Sequence, residues 1–438
     1  MAPYLAGTLP EIQLGGLHMS RGRARRDRPA SSSPSSCPSS SLITIVLLSC
    51  ATSKVPRLLG GALRDPQKTH FEIRSCAAAL LLGACYGVAA VAPSPLLAAD
   101  SGKEIHLTVA SSHTTGLPWV GVMSSLVVPK SNERLEAVGS PYRIRWTETY
   151  GGALYKYQHT LEAVEIGLTD IGWVGTLWEL SKMPLQNVTY YTPFVTDDYA
   201  LILELMNELH ETQPALIKAW EDQNQRFLGA SAVDTYHLMT NFPVRSIDDL
   251  RGRKILAPGP TAAWLEGTGA VAVDGGLTTY YTQIQTGVAD GVLTILTGAP
   301  PYRIHEVAPY ITLVGIGAQI TGGMAINLDT WRSLPQEVQD VLRELGREYS
   351  LGIAAELDAR YQRGLEQMQN EGAIVYELPL EERRKWLDGM PNIAGQWADA
   401  TEKRGYPAKE VIEIYMEAVR ARGATPLRDW DRELADYP

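Results

Sequence analysis

The chain has 438 residues, 45% of them hydrophobic and 20% charged, with 39 Lys and Arg against 49 Asp and Glu. Residues 1–99 hold ten of the basic and four of the acidic side chains, which leaves 29 and 45 on residues 100–438, a net charge of −16 that argues against nucleic acid or anionic lipid as the partner. The four cysteines (Cys37, Cys50, Cys76, Cys85) also precede residue 100, so disulfide frameworks, Cys-ligated zinc and thiol catalysis are excluded from the rest of the chain, which is long enough for two lobes with a full core.

Residues 1–99 read as a leader. An Arg-rich stretch passes into a Ser/Pro-rich one over residues 20–41, a composition that buries too little apolar surface to order itself. Leu42–Ala51 is apolar but too short to span a bilayer, which needs about 20 residues. Cys76–Ala92 follows the basic residues Lys68 and Arg74 and leads into small residues before Asp100, the pattern of a secretory signal peptide with cleavage expected near Ala99. A single membrane anchor is the alternative. Lipidation is another, since Leu82-Gly-Ala-Cys85 and Leu47-Leu-Ser-Cys50 both look like lipoboxes. The tandem export-like runs also suggest a true start near Pro66.

From Lys103 the pattern is globular. Glu104–Ala110 alternates like a strand and ends in a polar loop carrying His113, and Tyr142–Thr147 is a second strand. A helix runs to Glu165, Gly167 caps it, and a strand begins at Asp170. The same frame returns as a helix over Thr278–Thr286 with Thr278 as its cap, then Gly287, then a strand from Asp290. Two occurrences of helix, Gly, two residues, Asp, strand point to two similar α/β lobes. Ser246–Gly252 reads as a capped single turn feeding a strand over Arg253–Ala257. Thr261 is placed to open a helix after Pro258-Gly-Pro260. Pro335–Asn370 reads as one long helix, capped by Ser333 and stopped by Gly372. At about 1.5 Å per residue it is long enough to cross both lobes. Its apolar stripe from Val338 to Met368 is core packing.

No phosphate loop, nucleophile elbow or zinc helix is present, and His305-Glu306 lacks the second histidine of a zinc motif. The body's histidines are scattered, and no catalytic set assembles. What the body does carry is aromatic residues at strand ends and loops, among them Tyr157, Trp173, Trp178, Tyr236, Trp264 and Tyr280. Of these, Trp173 and Trp264 stand where two facing α/β lobes would line a cleft.

The ordered motifs resemble the extracytoplasmic solute-binding component of TRAP transporters, of the dicarboxylate-binding (DctP) family, over roughly residues 103–420. The resemblance rests on Tyr150-Gly-Gly-Ala-Leu154, Leu161–Ile171, Pro184 with Pro193-Phe194, Ser246–Ile255, Tyr281–Gly291 and Trp331–Val338. It implies a two-lobed, hinged periplasmic binding protein with a long spanning helix. It also implies an arginine closing the strand after the Asp249–Gly252 turn to grip a carboxylate. Here Leu256 takes that arginine's place, and Arg253 and Lys254 do not obviously substitute. Two further positions of the family pattern fall near Tyr236 and at Thr294.

The expected fold is therefore α/β and two-lobed. Residues 100–232 and 320–360 form lobe I, and residues 233–319 and 361–438 form lobe II. The expected function is capture of a small organic acid, monocarboxylic or aromatic in view of Leu256, for delivery to TRAP membrane permease subunits in the periplasm. No cofactor and no metal is expected. The expected ligand-binding residues are His113, Lys156, Tyr157, Trp173, Thr176, Tyr236, Leu256, Trp264 and Thr294, with Lys156, His113 or the backbone amides near Thr261 as substitutes for the missing arginine. A secreted hydrolase or lyase, and a binding protein of the ABC type, are the alternative readings.

Overall fold

Two sheets organise the chain, and each owes its parallel pairs to a strand–helix–strand crossover. The computed structural model describes residues 103–434. The signal-peptide and lipidation expectations concern residues outside that range. In chain order the strands are β1 (Lys103–Ala110), β2 (Tyr142–Thr149), β3 (Ile171–Gly175), β4 (Gln225–Val233), β5 (Tyr236–Thr240) and β6 (Lys254–Leu256). They continue with β7 (Val271–Val273), β8 (Gly291–Ile295), β9 (Tyr310–Leu313), β10 (Gln319–Asn327) and β11 (Ile374–Glu377). The first sheet has the order β2-β1-β3-β10-β4 and the second β11-β9-β5-β8-β6-β7. β1 runs parallel to β2 and β3, and β6 runs parallel to β7 and β8, while β10 and β5 insert antiparallel. β3 and β8 are buried along their whole length, as central strands covered on both faces must be.

The repeated Gly-x-x-Asp frame has a structural meaning. Gly167 and Gly287 end their helices at φ of 71° and 75°, a left-handed backbone that suits glycine. Three residues later, the Asp170 carboxylate accepts the backbone N–H of Thr108 at 2.8 Å, and the Asp290 carboxylate accepts that of Lys254 at 2.9 Å. Each aspartate thus pins the strand it precedes to a parallel neighbour, β1 in one sheet and β6 in the other. Such charge-assisted bonds are the stronger kind. The repeat therefore fixes strand register twice.

Several local expectations shift. Thr278 is not the cap of its helix: Leu277–Gln285 starts one residue earlier, with Gly276 at the cap and the Thr279 hydroxyl accepting the Gly276 N–H at 3.1 Å. Ser333 does not cap the long helix Gln336–Asn370 either. Pro335 stands at that position, and the Ser333 hydroxyl donates to the Thr330 carbonyl instead. Thr261 lies inside a 3-10 turn over Gly259–Leu265, where its hydroxyl and amide both donate to the Pro258 carbonyl. Ser246 does cap its turn, in a reciprocal pair with Asp249.

The long helix lies on β4 along its first half, where Gly346 permits backbone contact: a Cβ there would meet the Leu228 carbonyl oxygen at 2.0 Å. Gly229 faces it with an equally close approach to the Gly346 carbonyl. Toward its end the helix reaches the second sheet, with Met368 in that sheet's core and the Tyr361 hydroxyl 3.0 Å from His237 Nε2. The C-terminal helices brace both halves. Leu380–Gly389 sends the Trp386 indole N–H to the Trp264 carbonyl, whereas in Ile393–Glu402 Trp397 stacks on Tyr191 at 5.1 Å.

Gly346→Ala should destabilise the protein by about 1–3 kcal/mol in urea titrations, because backbone must move to admit the methyl. Gly352→Ala, on the same helix, meets only the Val122 and Leu126 side chains and should cost less.

Candidate ligand-binding site

Loops at the carboxyl ends of β1 and β3 meet the second sheet around a cavity of about 50 Å³. The first half contributes His113, Trp119, Trp173 and Trp178, and the second Tyr236, Tyr280, Thr294 and Pro258. Lys, Arg, Asp and Glu are absent from the lining among the described residues. The crossing between β4 and β5 separates two linings: Val233 and Tyr236 line the cavity, while Asp234, Thr235 and His237 line a separate crevice.

His113 sits in an aromatic box. Its ring is edge-on to Trp173 at 5.2 Å and to Trp119 at 6.1 Å, and parallel to Trp178 at 5.8 Å. Nδ1 lies 3.0 Å from the Ser112 hydroxyl. Burial lowers the imidazole pKa from 6.5 to about 4, so the ring is neutral at pH 7. Gly175 makes the box possible, since a Cβ there would stand 2.4 Å from the Trp178 ring. On the opposite side Tyr236 donates to or accepts from Tyr190 at 3.3 Å, and burial raises its pKa to about 12.

The three indoles differ in one respect. Trp173 donates its N–H to the Ser231 hydroxyl at 2.7 Å. The N–H groups of Trp119 and Trp178 are buried with no partner among the described residues, as is the Thr176 hydroxyl. A buried donor left unpaired costs about 1–3 kcal/mol.

The profile of the family described as bacterial extracellular solute-binding protein, family 7 (DctP) matches residues 143–399. The chain belongs to this family. A solute-binding protein of Sulfitobacter sp. (strain NAS-14.1) is 26% identical over 209 residues, 46% of this chain and 58% of the relative, so the match spans well under two thirds of that protein. Two crystal structures share the fold. One is a marine metagenome TRAP solute-binding protein specific for aromatic acid ligands, in complex with 3-hydroxybenzoate, with TM-score 0.64 and 16% identity over 73% of this chain and 99% of the other. The second is a TRAP periplasmic solute-binding protein from Sulfitobacter sp. NAS-14.1 with bound β-D-galacturonate, with TM-score 0.59 and 19% identity over 72% and 100%.

In this DctP-family protein the residues expected at the ligand divide into three groups. His113, Trp173, Tyr236 and Thr294 line the cavity together. Tyr157 and Thr176 stand beside it: the Tyr157 ring lies 5.0 Å from Trp178, and Thr176 precedes the lining residue Leu177. Trp264, Leu256 and Lys156 stand apart. Trp264 is fully buried one layer behind, stacked on Tyr190 at 5.6 Å with its N–H on the Tyr190 carbonyl. Leu256 is fully buried in the second sheet's core, because β6 is covered on both faces there. Lys156 is exposed and donates to the Gly152 carbonyl at 2.7 Å.

Trp119, Trp178 and Tyr280 were not expected in the lining. Trp119 and Trp178 each follow a parallel strand of the first sheet by only a few residues, so the strand-end rule held the signal. Tyr280 projects from the helix behind Gly276, a placement that only the packing of two halves creates. Of the expected substitutes for the missing arginine, the Thr261 amide donates to the Pro258 carbonyl. The Arg253 guanidinium lies 4.1 Å over the Phe242 ring. A larger crevice of about 340 Å³ opens beside Asp234, His237 and Arg383. There Asp234 accepts from Leu296 and Thr297 and His237 Nδ1 accepts from Val314 and Gly315, while Arg383 donates to the Gly315 carbonyl and keeps a buried Nε with no partner among the described residues. The aromatic cavity, where four of the expected ligand-binding residues meet, is the better candidate.

Burial holds His113, His210 and His237 neutral, with pKa values lowered to about 4, 4 and 3. The unfolded chain takes up protons first, so their stabilising contribution is complete above pH 6.5 and is lost as the pH falls toward 4, by about 1.4 kcal/mol per unit per histidine at most. Asp234, raised to about 6 by burial, opposes this weakly, since its contribution is lost as the pH rises. The urea midpoint should fall between pH 6.5 and 4, and fall less in His113→Phe.

Proposed function

We propose that this protein is the extracytoplasmic solute-binding component of a TRAP transporter, which captures a small organic acid with an aromatic or apolar body and hands it to membrane permease subunits. The observation that carries this reading is the cavity between the two sheets, lined by His113, Trp119, Trp173, Trp178, Tyr236 and Tyr280. Ring-lined walls suit a planar apolar ligand far better than a uronic acid, whose hydroxyls need polar partners all round. Binding without chemistry fits this lining, where a single neutral imidazole has no second acid or base beside it. Export through the N-terminal leader, with cleavage near Ala99, would deliver the body to the periplasm.

In this reading one lobe comprises residues 100–232 and 320–360 and the other residues 233–319 and 361–438. The chain passes between them at 233–236 and 313–319, with Gly315 and Gly317 at φ of 66° and 116° supplying the second crossing. Tyr157 stands against Gly276 across these crossings, since a Cβ on Gly276 would lie 3.9 Å from its ring.

Thermal shift on protein stripped of ligand by unfolding and refolding tests the reading. The panel is benzoate, 3-hydroxybenzoate, phenylacetate, aliphatic monocarboxylates, succinate, malate, galacturonate and uncharged sugars. Saturation at about 100 times Kd adds about 2.7 kcal/mol of stability, a rise of a few degrees. A rise with the aromatic acids is expected, and Trp178→Ala should reduce it. A rise confined to C4-dicarboxylates or galacturonate would overturn the assignment of ligand class.

A further inference from the structure

We infer that Trp178 sets the size of the ligand: its indole occupies the slot for the ligand's ring, turns aside to admit an acid with one ring, and leaves no room for two. The inference rests on the assignment of the aromatic cavity as the ligand site. It goes beyond that assignment by naming the side chain that moves and the ring count that its bulk allows.

The first support is volume. The cavity holds about 50 Å³, whereas an apolar cavity of about 150 Å³ is one that takes a single benzene. The rings of the lining therefore fill the space that an aromatic acid needs. His113 and Trp178 mark the place: their parallel rings have centroids 5.8 Å apart. That lies within the range of about 4.5–7 Å found for rings in direct contact, so no ligand ring fits between them.

The second support is which ring is free to leave. Among the aromatic side chains of the lining, Trp178 alone is only half-buried. Trp173 is tethered through its N–H to Ser231, Tyr236 through its hydroxyl to Tyr190, and His113 through Nδ1 to Ser112. Trp119 and Tyr280, at 2% and 3% exposed, have no outward path. The Trp178 indole is held by ring contacts, to Tyr157 at 5.0 Å and edge-on to Trp173 at 5.8 Å. Within the turn Thr176–Trp178, the Thr176 hydroxyl and the Trp178 N–H are both buried without a partner among the described residues. A turn with two unsatisfied polar groups gives up little when it rearranges. Turned aside, the indole stays on the Tyr157 side and covers the ligand from there.

Isothermal titration and stopped-flow mixing of the refolded full chain test this, with benzoate, 3-hydroxybenzoate and 2-naphthoate as ligands and galacturonate and succinate as non-aromatic probes. The wild-type chain should bind the one-ring acids and not 2-naphthoate. Its observed association rate should level off as ligand concentration rises, because turning of the indole becomes limiting. Trp178→Ala should abolish that plateau and weaken the one-ring acids about two- to tenfold, through loss of the covering ring. The same variant should bind 2-naphthoate at least as tightly as benzoate. Tyr157→Ala, which uncovers the indole, should raise the plateau rate, and it serves if Trp178→Ala fails to fold. A wild-type rate that stays linear, a plateau unchanged in either variant, or wild-type binding of 2-naphthoate as tight as that of benzoate would overturn the inference and leave the aromatic-acid reading standing. Binding of galacturonate or succinate with no aromatic compound bound would overturn both.

Discussion

The buried carboxylate of Asp234 ties the two halves of this molecule together. It stands in the short crossing between β4 of the first sheet and β5 of the second, and it accepts the backbone N–H groups of Leu296 and Thr297 and the Thr297 hydroxyl, just beyond β8. A buried carboxylate is tolerated only where donors surround it, so the crossing chain and the end of β8 are held in one arrangement. Val233 and Tyr236, on either side of that crossing, line the aromatic cavity, while Asp234, Thr235 and His237 line the separate crevice. The residues before Leu296, Thr294 and Ile295, join the same wall.

The opposite wall depends on backbone space. Gly175 lets the Trp178 ring fold back over the end of β3, and the loop after β1 brings His113 and Trp119 to the same place. Four rings then enclose a volume with no formal charge in its lining. Such a lining suits ring contact and shape complementarity more than charge pairing. The DctP resemblance leads one to expect an arginine at the position of Leu256, and Leu256 is instead buried in the second core.

Much of this was legible in the residues. The alternation of Glu104–Ala110, the glycine stops at Gly167 and Gly287, and the aspartates that open β3 and β8 each follow from local rules that act within a few residues. His113, Trp173, Tyr236 and Thr294 were reachable because each sits in a strand or at its end, and strand ends of facing lobes line clefts. Trp264 misled for the opposite reason. It follows a glycine–proline loop that looks exposed, and only the tertiary fold reveals that Tyr190 and Trp386 cover it. Lys156 misled because a long side chain is free to turn outward, and its ammonium finds the Gly152 carbonyl and water rather than an apolar box.

By itself, the sequence determined the α/β class, the doubled strand-register device, the long helix, and a body without thiols and with acidic charge, because periodicity, capping and composition act locally or additively. Tertiary structure alone decided which rings face one another, and that among the described residues two of the three indole N–H groups have no partner and the cavity lining holds no Lys, Arg, Asp or Glu. Those outcomes depend on the meeting of segments more than a hundred residues apart, such as Trp178 with Tyr280, and no local rule carries the distance between them.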